Sequence, residues 1–276
     1  MSPVVIALAL FAAILHASWN AFLHHGGDRL WTVTVMSFAS TVAAIPLMLL
    51  HPLPPGDAWI YIVLSAALQT AYSVFLVAAY RFGELGQVYP IVRGTVPLLV
   101  TVIGFLVTRD LLAFHQVAGV ILVALGILSL LIGKARASAP SILLAMLTGA
   151  IIATYATVDS IGVRRAGDSG GYAAWVLFIY GLFLPATFMV IRRRLSVDFR
   201  SPATWKALGG GLVSMLAYGA VVAAFALGPA GPISALRETS VVFAALIGWL
   251  FLGERLSAQR ALACVIVAAG AILIGR

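Results

Sequence analysis

Ten apolar runs, each about as long as a lipid bilayer is thick, divide the sequence from end to end and restrict the chain to one class of fold. A helix needs about 20 residues to cross a hydrocarbon core of about 30 Å. The runs fall at residues 3–22, 32–51, 58–80, 87–107, 112–133, 139–161, 171–191, 203–226, 232–252 and 257–275. Of the 276 residues, 62% are hydrophobic and only 9% charged, and mean hydropathy is +1.09. Soluble domains are only about 45–50% apolar. Transmembrane β-strands would alternate apolar and polar residues over about 10 positions, whereas these runs are continuously apolar. The expected fold is an all-α polytopic membrane protein with ten transmembrane helices.

The connecting segments, such as HPLPPGD, RFGEL, KARASA and LGPAG, are short and polar or turn-forming, and none can hold a soluble domain. The first run opens MSPVVIALAL with no Lys or Arg ahead of it, unlike a cleaved secretory signal, and is expected to be retained as a helix. Cys264, the single cysteine, lies inside the last run, which excludes an intramolecular disulfide and a Cys-based metal site. The net charge of +8 comes from cations scattered through short loops, with one cluster at Arg192, Arg193 and Arg194. That distribution fits membrane topology rather than nucleic-acid binding. The triplet Gly209-Gly210-Gly211 is followed by no GK[ST] and so is no phosphate loop. With no Ser-His-Asp arrangement and no metal-ligand spacing, no catalytic residue, cofactor, metal or nucleic-acid partner is expected, and the chain is not read as an enzyme.

Two arginines stand inside the apolar runs at matching places. Arg93 lies in QVYPIVRGTVPLL and Arg237 in GPISALRETSVVF, an offset of 144 residues. The same offset brings Thr95 onto Thr239, Gly104 onto Gly248, Asp110 onto Glu254 and Gly126 onto Gly270. With shifts of one or two residues, Tyr80 meets Phe225, Gly83 meets Gly228, Tyr72 meets Tyr218 and Trp59 meets Trp205. At the starts of the halves, HHGGD ending at Asp28 corresponds to RRAGD ending at Asp168. The chain therefore reads as two five-helix repeats, 1–137 and 138–276. Five is odd, so the second repeat enters the membrane from the opposite side and the repeats have inverted topology, an architecture that places binding sites at the repeat interface near midplane. Counting spans alternately puts eleven Lys and Arg on one face and four on the face bearing both termini. The positive-inside rule then places both termini outside.

A charged side chain at the centre of a transmembrane helix costs roughly 2.5–3.5 kcal/mol on insertion scales and usually faces a bundle interior or cavity. Arg93 and Arg237 are thus the leading candidates for a substrate site, since guanidinium forks match carboxylate and phosphonate groups. For Arg93, close to Tyr89, Pro90 and Pro97, snorkelling toward an interface is the competing reading. Glu238 is the one carboxylate placed well within an apolar run, available to bind a substrate ammonium, to titrate, or to pair with either arginine. As an immediate neighbour on a helix it is expected to point about 100° away from Arg237. His16, with a hydrogen-bonded structural role as its alternative, Trp19 and Asn20 near the end of the first helix, with the aromatic belt and a bond across helices as theirs, and Tyr72 with Tyr218 in corresponding helices, with packing as theirs, complete the candidate set. Asp159 and Ser160 are expected to end the sixth helix just before GVRRAGD as an interfacial cap or loop contact, with a role in transport as the alternative.

Ten helices in an inverted duplication, with LGERL closing the ninth run at Leu252 to Leu256, resemble the EamA branch of the drug/metabolite transporter superfamily over essentially the whole length. Within it, HASWNA at His16 to Ala21, YPIVRG at Tyr89 to Gly94 and ALRETSVVFAALIG at Ala235 to Gly248 look like a bacterial subgroup of exporters, some associated with phosphonate-use gene clusters. The resemblance implies carriers of amino acids and other small metabolites, with helices 3, 4, 8 and 9 near the pathway, and cytoplasmic termini, opposite to the charge count. Single-repeat relatives that export cationic drugs carry a carboxylate in their first helix. Here that helix has none, which argues against such substrates. The expected function is export or exchange of small polar metabolites, amino acids or related zwitterionic or anionic compounds, across a bacterial inner membrane, with flipping of a lipid-linked substrate as the alternative. Expected partners are the substrate, membrane lipid and a coupling proton carried by Glu238 or His16. One chain suffices for a functional monomer.

Overall fold

The computed structural model describes residues 1–23, 28–82, 84–133, 138–251, 253 and 256–276, without the side chains of 20–23 and 85. Among these, every regular element is helical. The helices are α1 (Pro3–Leu23), α2 (Arg29–Leu50), α3 (Trp59–Phe82), α4 (Leu85–Val107), α5 (Phe114–Leu128), α6 (Ala139–Ala166), α7 (Ser169–Arg192), α8 (Pro202–Leu227), α9 (Ala230–Arg237), α10 (Ser240–Phe251) and α11 (Ala258–Gly275). Nine helical segments among the described residues are long and apolar enough to cross a membrane, α9 and α10 counting together, and the apolar α1 adds a tenth. Of the expected features, Asn20 as a side chain, residues 24–27 of HHGGD, Gly83, Lys134, Arg136, Leu252, Glu254 and Arg255 lie outside the described set.

The ends of these helices show why the chain turns where it does. Asp28 caps α2, its Oδ1 accepting from Leu30 N and Trp31 N at 3.0 and 3.2 Å. Asp168 caps α7 in the same way through Gly171 N at 2.5 Å. These are the two aspartates that end the aligned motifs of the repeats, each satisfying amides that a helix start leaves unpaired. The aligned Trp59 and Trp205 also behave alike, donating their indole N–H to upstream carbonyls, Pro54 O at 3.2 Å and Phe199 O at 2.9 Å.

Helix packing carries the same symmetry. The α3–α6 interface is answered by α8–α1, α4–α6 by α9 and α10 on α1, and α2–α8 by α7–α3, while α2–α7 and α5–α11 pair equivalent helices across the axis. Each repeat thus inserts its first helix between elements of the other, and the main core, built from residues of α1 and of α3 through α11, is shared by both. Where α5 crosses α11, Gly119 and Gly270 bring the backbones together. A Cβ on Gly119 would lie 2.7 Å from Gly270 O, and one on Gly270 2.8 Å from Gly119 O. Between membrane helices such small residues permit the close packing that drives association. The outer surface exposes large apolar side chains, Leu49, Val190 and Phe251 among them, as a lipid-facing surface does.

Two expectations are corrected. The sixth helix does not end at Asp159 and Ser160. It runs on to Ala166 because Arg164 turns back onto the end of α8, donating from Nε to Phe225 O at 3.1 Å and from Nη2 to Gly228 O at 2.6 Å. The ninth run is not one helix but two, α9 and α10, parted at Glu238 and Thr239.

Candidate functional site

The parting of α9 from α10 happens without proline or glycine. Around it the i to i−4 ladder gives way to i−3 bonds: Thr239 N to Leu236 O at 3.1 Å, Val241 N to Glu238 O at 3.1 Å and Val242 N to Thr239 O at 2.8 Å. Such a short 3₁₀ stretch inside a long helix often marks a hinge. Because Val241 N bonds Glu238 O, it no longer serves the carbonyl of Arg237, four residues back. Pro97, the residue aligned with Val241, has no N–H to give the carbonyl of Arg93. The two repeats thus free the carbonyl of the same aligned arginine by different means. α4 nevertheless stays helical through Pro90 and Pro97.

The side chains converge at this level. Glu238 is fully buried, and Arg93 and Arg237 are each 9% exposed. Arg93 Nη1 donates to both Glu238 oxygens, at 3.3 Å to Oε1 and 3.5 Å to Oε2. Arg237 Nη2 reaches the same Oε1 at 3.4 Å. The expectation that Arg237 and Glu238 point apart is therefore corrected. They leave a regular helix at this point, and the long arginine side chain folds back within the tightened turn. Arg93 Nη2 also pairs with His16 Nε2, which brings α1 into the cluster. Its guanidinium lies 5.5 Å from the Tyr89 ring centroid, one helical turn back on α4.

Around this core, Trp19 stands edge-on to His16 at 5.2 Å, and Tyr72 lies 6.1 Å from Tyr155. Tyr155 also lies near Arg237, close enough for the two to interact electrostatically. Among the buried polar atoms of the described residues that make no hydrogen bond are Arg237 Nε and Trp19 Nε1. Two guanidiniums against one carboxylate leave the cluster with an excess positive charge and open donors, an arrangement suited to an anionic group.

The sequence candidates therefore separate. His16, Tyr89, Arg93, Arg237 and Glu238 meet, with Trp19 and Tyr72 beside them. Tyr218 instead belongs to a second buried group, donating to Asp159 Oδ2 at 3.0 Å while Tyr172 donates to Oδ1 at 2.9 Å. Gln69 Nε2 donates to Tyr218 Oη at 3.3 Å and to Ser65 Oγ at 3.0 Å, tying this group to α3. Tyr155 and Tyr172 are not singled out by the sequence, and Asp159 only as the alternative to an interfacial cap. Their signal was the i, i+4 spacing of Tyr155 and Asp159, which sets both on one face of α6. Among the described residues no group of three or more His, Cys, Asp or Glu side chains has the geometry of a metal site. A surface groove of about 440 Å³ lined by Arg109, Asp110, Arg164 and Gly228 opens at the end of the bundle, away from both buried groups.

Comparison with known proteins adds the following. A model of the EamA-like transporter family matches the chain twice, over residues 3–132 and 139–276. No curated protein matches it. A solved structure described only as "Crystal structure of protein" superimposes with a TM-score of 0.75 at 16% identity, covering 98% of this chain and 94% of the other. At that identity the likeness establishes a shared fold.

Proposed function

The chain belongs to the EamA-like transporter family, a multi-pass membrane transporter in two repeats, and from that premise we propose that it exports or exchanges small polar metabolites, amino acids or related zwitterionic or anionic compounds, across a bacterial inner membrane. The observation that supports this reading above all is the buried Arg93–Glu238–Arg237 group at the repeat interface. Its N–O contacts of 3.3 to 3.5 Å exceed the ~2.7–2.9 Å of tight charge-assisted bonds. The guanidiniums are therefore held loosely enough to be taken over by a substrate carboxylate or phosphonate, which offers the bidentate match that Glu238 does not make here.

In this mechanism the anionic group of the substrate binds Arg93 and Arg237, and Glu238 is released to face the substrate ammonium. His16, Tyr72, Tyr89 and Trp19 shape the space around it. The repeats then rock about the shared core, and the 3₁₀ turn at Glu238 and Thr239 absorbs the change in angle between α9 and α10, exposing the site to each side in turn. The sequence carries no nucleotide-binding loop, so a gradient or exchange of substrates supplies the energy. Both repeats lie in one chain, so a monomer contains the complete pathway. Purified protein in proteoliposomes preloaded with unlabelled amino acids and aminophosphonates should show saturable counterflow of at least one labelled member of that panel. Absence of counterflow across the panel would overturn the assignment of substrate class.

A further inference from the structure

Glu238 and Asp159 are fully buried, and their surroundings differ. Glu238 faces two guanidiniums. Asp159, among the described residues, makes no ion pair, and its hydrogen-bond partners are neutral: the Tyr172 and Tyr218 phenols at 2.9 and 3.0 Å, with Ser65 also in range. α6 packs against α3, α4, α7, α8 and α9. Facing Asp159 are Tyr172 from α7, Tyr218 from α8 and the Ser65–Gln69 pair from α3. Arg237 acts on it from α9 only through space. α4 places no cation within ion-pairing distance of it.

We propose that Asp159 is the proton-exchange site that couples transport to a proton gradient. The inference rests on the transporter reading but not on the identity of the substrate. The step is simple in its balance: one proton from water binds a carboxylate oxygen or leaves it, and no other bond is made or broken. What gives it leverage is the wiring. With both oxygens accepting from phenols, the carboxylate needs no proton of its own. A proton on Oδ2 must in turn be donated, and the nearest acceptor is Tyr218 Oη. Tyr218 then has to redirect its own hydrogen, and Ser65 is within its reach. The oxygen that receives Gln69 Nε2 thereby turns from donor to acceptor toward Asp159, and its hydrogen swings to the Ser65 side of the contact between α8 of the second repeat and α3 of the first. Protonation thus acts directly on an inter-repeat contact that must change in alternating access.

The proton site is also wired to the substrate site. Tyr155 precedes Asp159 by four residues on α6, about 6 Å along the axis, and it lies near enough to Arg237 to interact with it electrostatically. An anion bound at Arg237 would cancel the positive charge that acts on Asp159, so loading at one site is felt at the other. Neither Glu238, neutralised by two arginines, nor His16, joined to Arg93, is placed to do this without breaking the anion site itself.

Two measurements test the proposal. Infrared difference spectra of the purified protein in lipid, taken across a pH titration, should show a protonated carboxylic acid band that is lost in Asp159→Asn and displaced to another pH in Tyr218→Phe. In proteoliposomes, Asp159→Asn should keep counterflow of the amino-acid and aminophosphonate panel near the wild-type rate but lose net flux driven by a pH gradient. An unchanged band in both variants, or gradient-driven flux surviving in Asp159→Asn, would overturn the proposal. If Asp159→Asn does not fold, the Tyr218→Phe titration decides alone. No counterflow in the wild type would overturn the proposed substrate class, and the infrared result would still decide whether Asp159 exchanges a proton.

Discussion

Replacing Glu238 with Gln tests whether the central cluster is one energetic unit. The change keeps side-chain volume and one accepting oxygen but removes the charge that faces Arg93 at 3.3 Å and Arg237 at 3.4 Å. Breaking a buried ion pair costs about 3–5 kcal/mol because it strands a charge. The contacts here are longer than ideal, and the amide oxygen still accepts a bond from a charged donor, so the loss falls at or just below the bottom of that range. The expected loss is about 2–3 kcal/mol, or roughly 30- to 150-fold in the folding equilibrium. Unfolding in detergent, followed by circular dichroism against increasing SDS, reads it directly. The double variant Glu238→Gln with Arg93→Gln restores the wild-type charge of the cluster and should recover at least half of the loss. A single variant as stable as wild type, or a double variant whose loss is the sum of both singles, would refute the reasoning.

Three further outcomes follow from the fold and the charge distribution. Gly119→Ala should push α5 from α11, since its Cβ would meet Gly270 O at 2.7 Å, and lower stability by about 1–3 kcal/mol, visible as an earlier thermal midpoint. Asp28→Ala should cost about 1 kcal/mol by uncapping α2, whereas Asp28→Asn, which keeps the cap but loses the exposed 3.3 Å pair with Arg192, should lie within a few tenths of wild type. Alkaline phosphatase fused after Arg276 should be active, as the eleven-to-four charge bias places both termini outside. An inactive fusion would reverse that orientation.

Much of this arrangement was legible in the sequence, and what was not has identifiable causes. Membrane-length runs are set by composition, so ten spans could be read directly, and the aligned aspartates and tryptophans keep their local roles as caps and carbonyl-bonded indoles in both repeats. The pairing of Arg93 with Glu238 was open from sequence because two arginines competed for one carboxylate; the fold lets both share it. The turn at Glu238 was hidden because no residue there breaks a helix. It is a tertiary effect that swings the carboxylate toward α4. Asp159 was misread as interfacial because Arg164 and Arg165 looked like the end of a span. Arg164 instead bonds the carbonyls that close α8, which lets α6 continue and leaves Asp159 buried two turns within it.

The central claim is that Arg93, with Arg237, holds the anionic group of the substrate. Counterflow of the amino-acid and aminophosphonate panel into proteoliposomes, comparing wild type with Arg93→Ala at equal folded content verified by size-exclusion chromatography, tests it most directly. Saturable flux in the wild type that vanishes in the variant is the predicted result. Flux of the same substrate at the wild-type rate and half-saturation in folded Arg93→Ala would contradict the account.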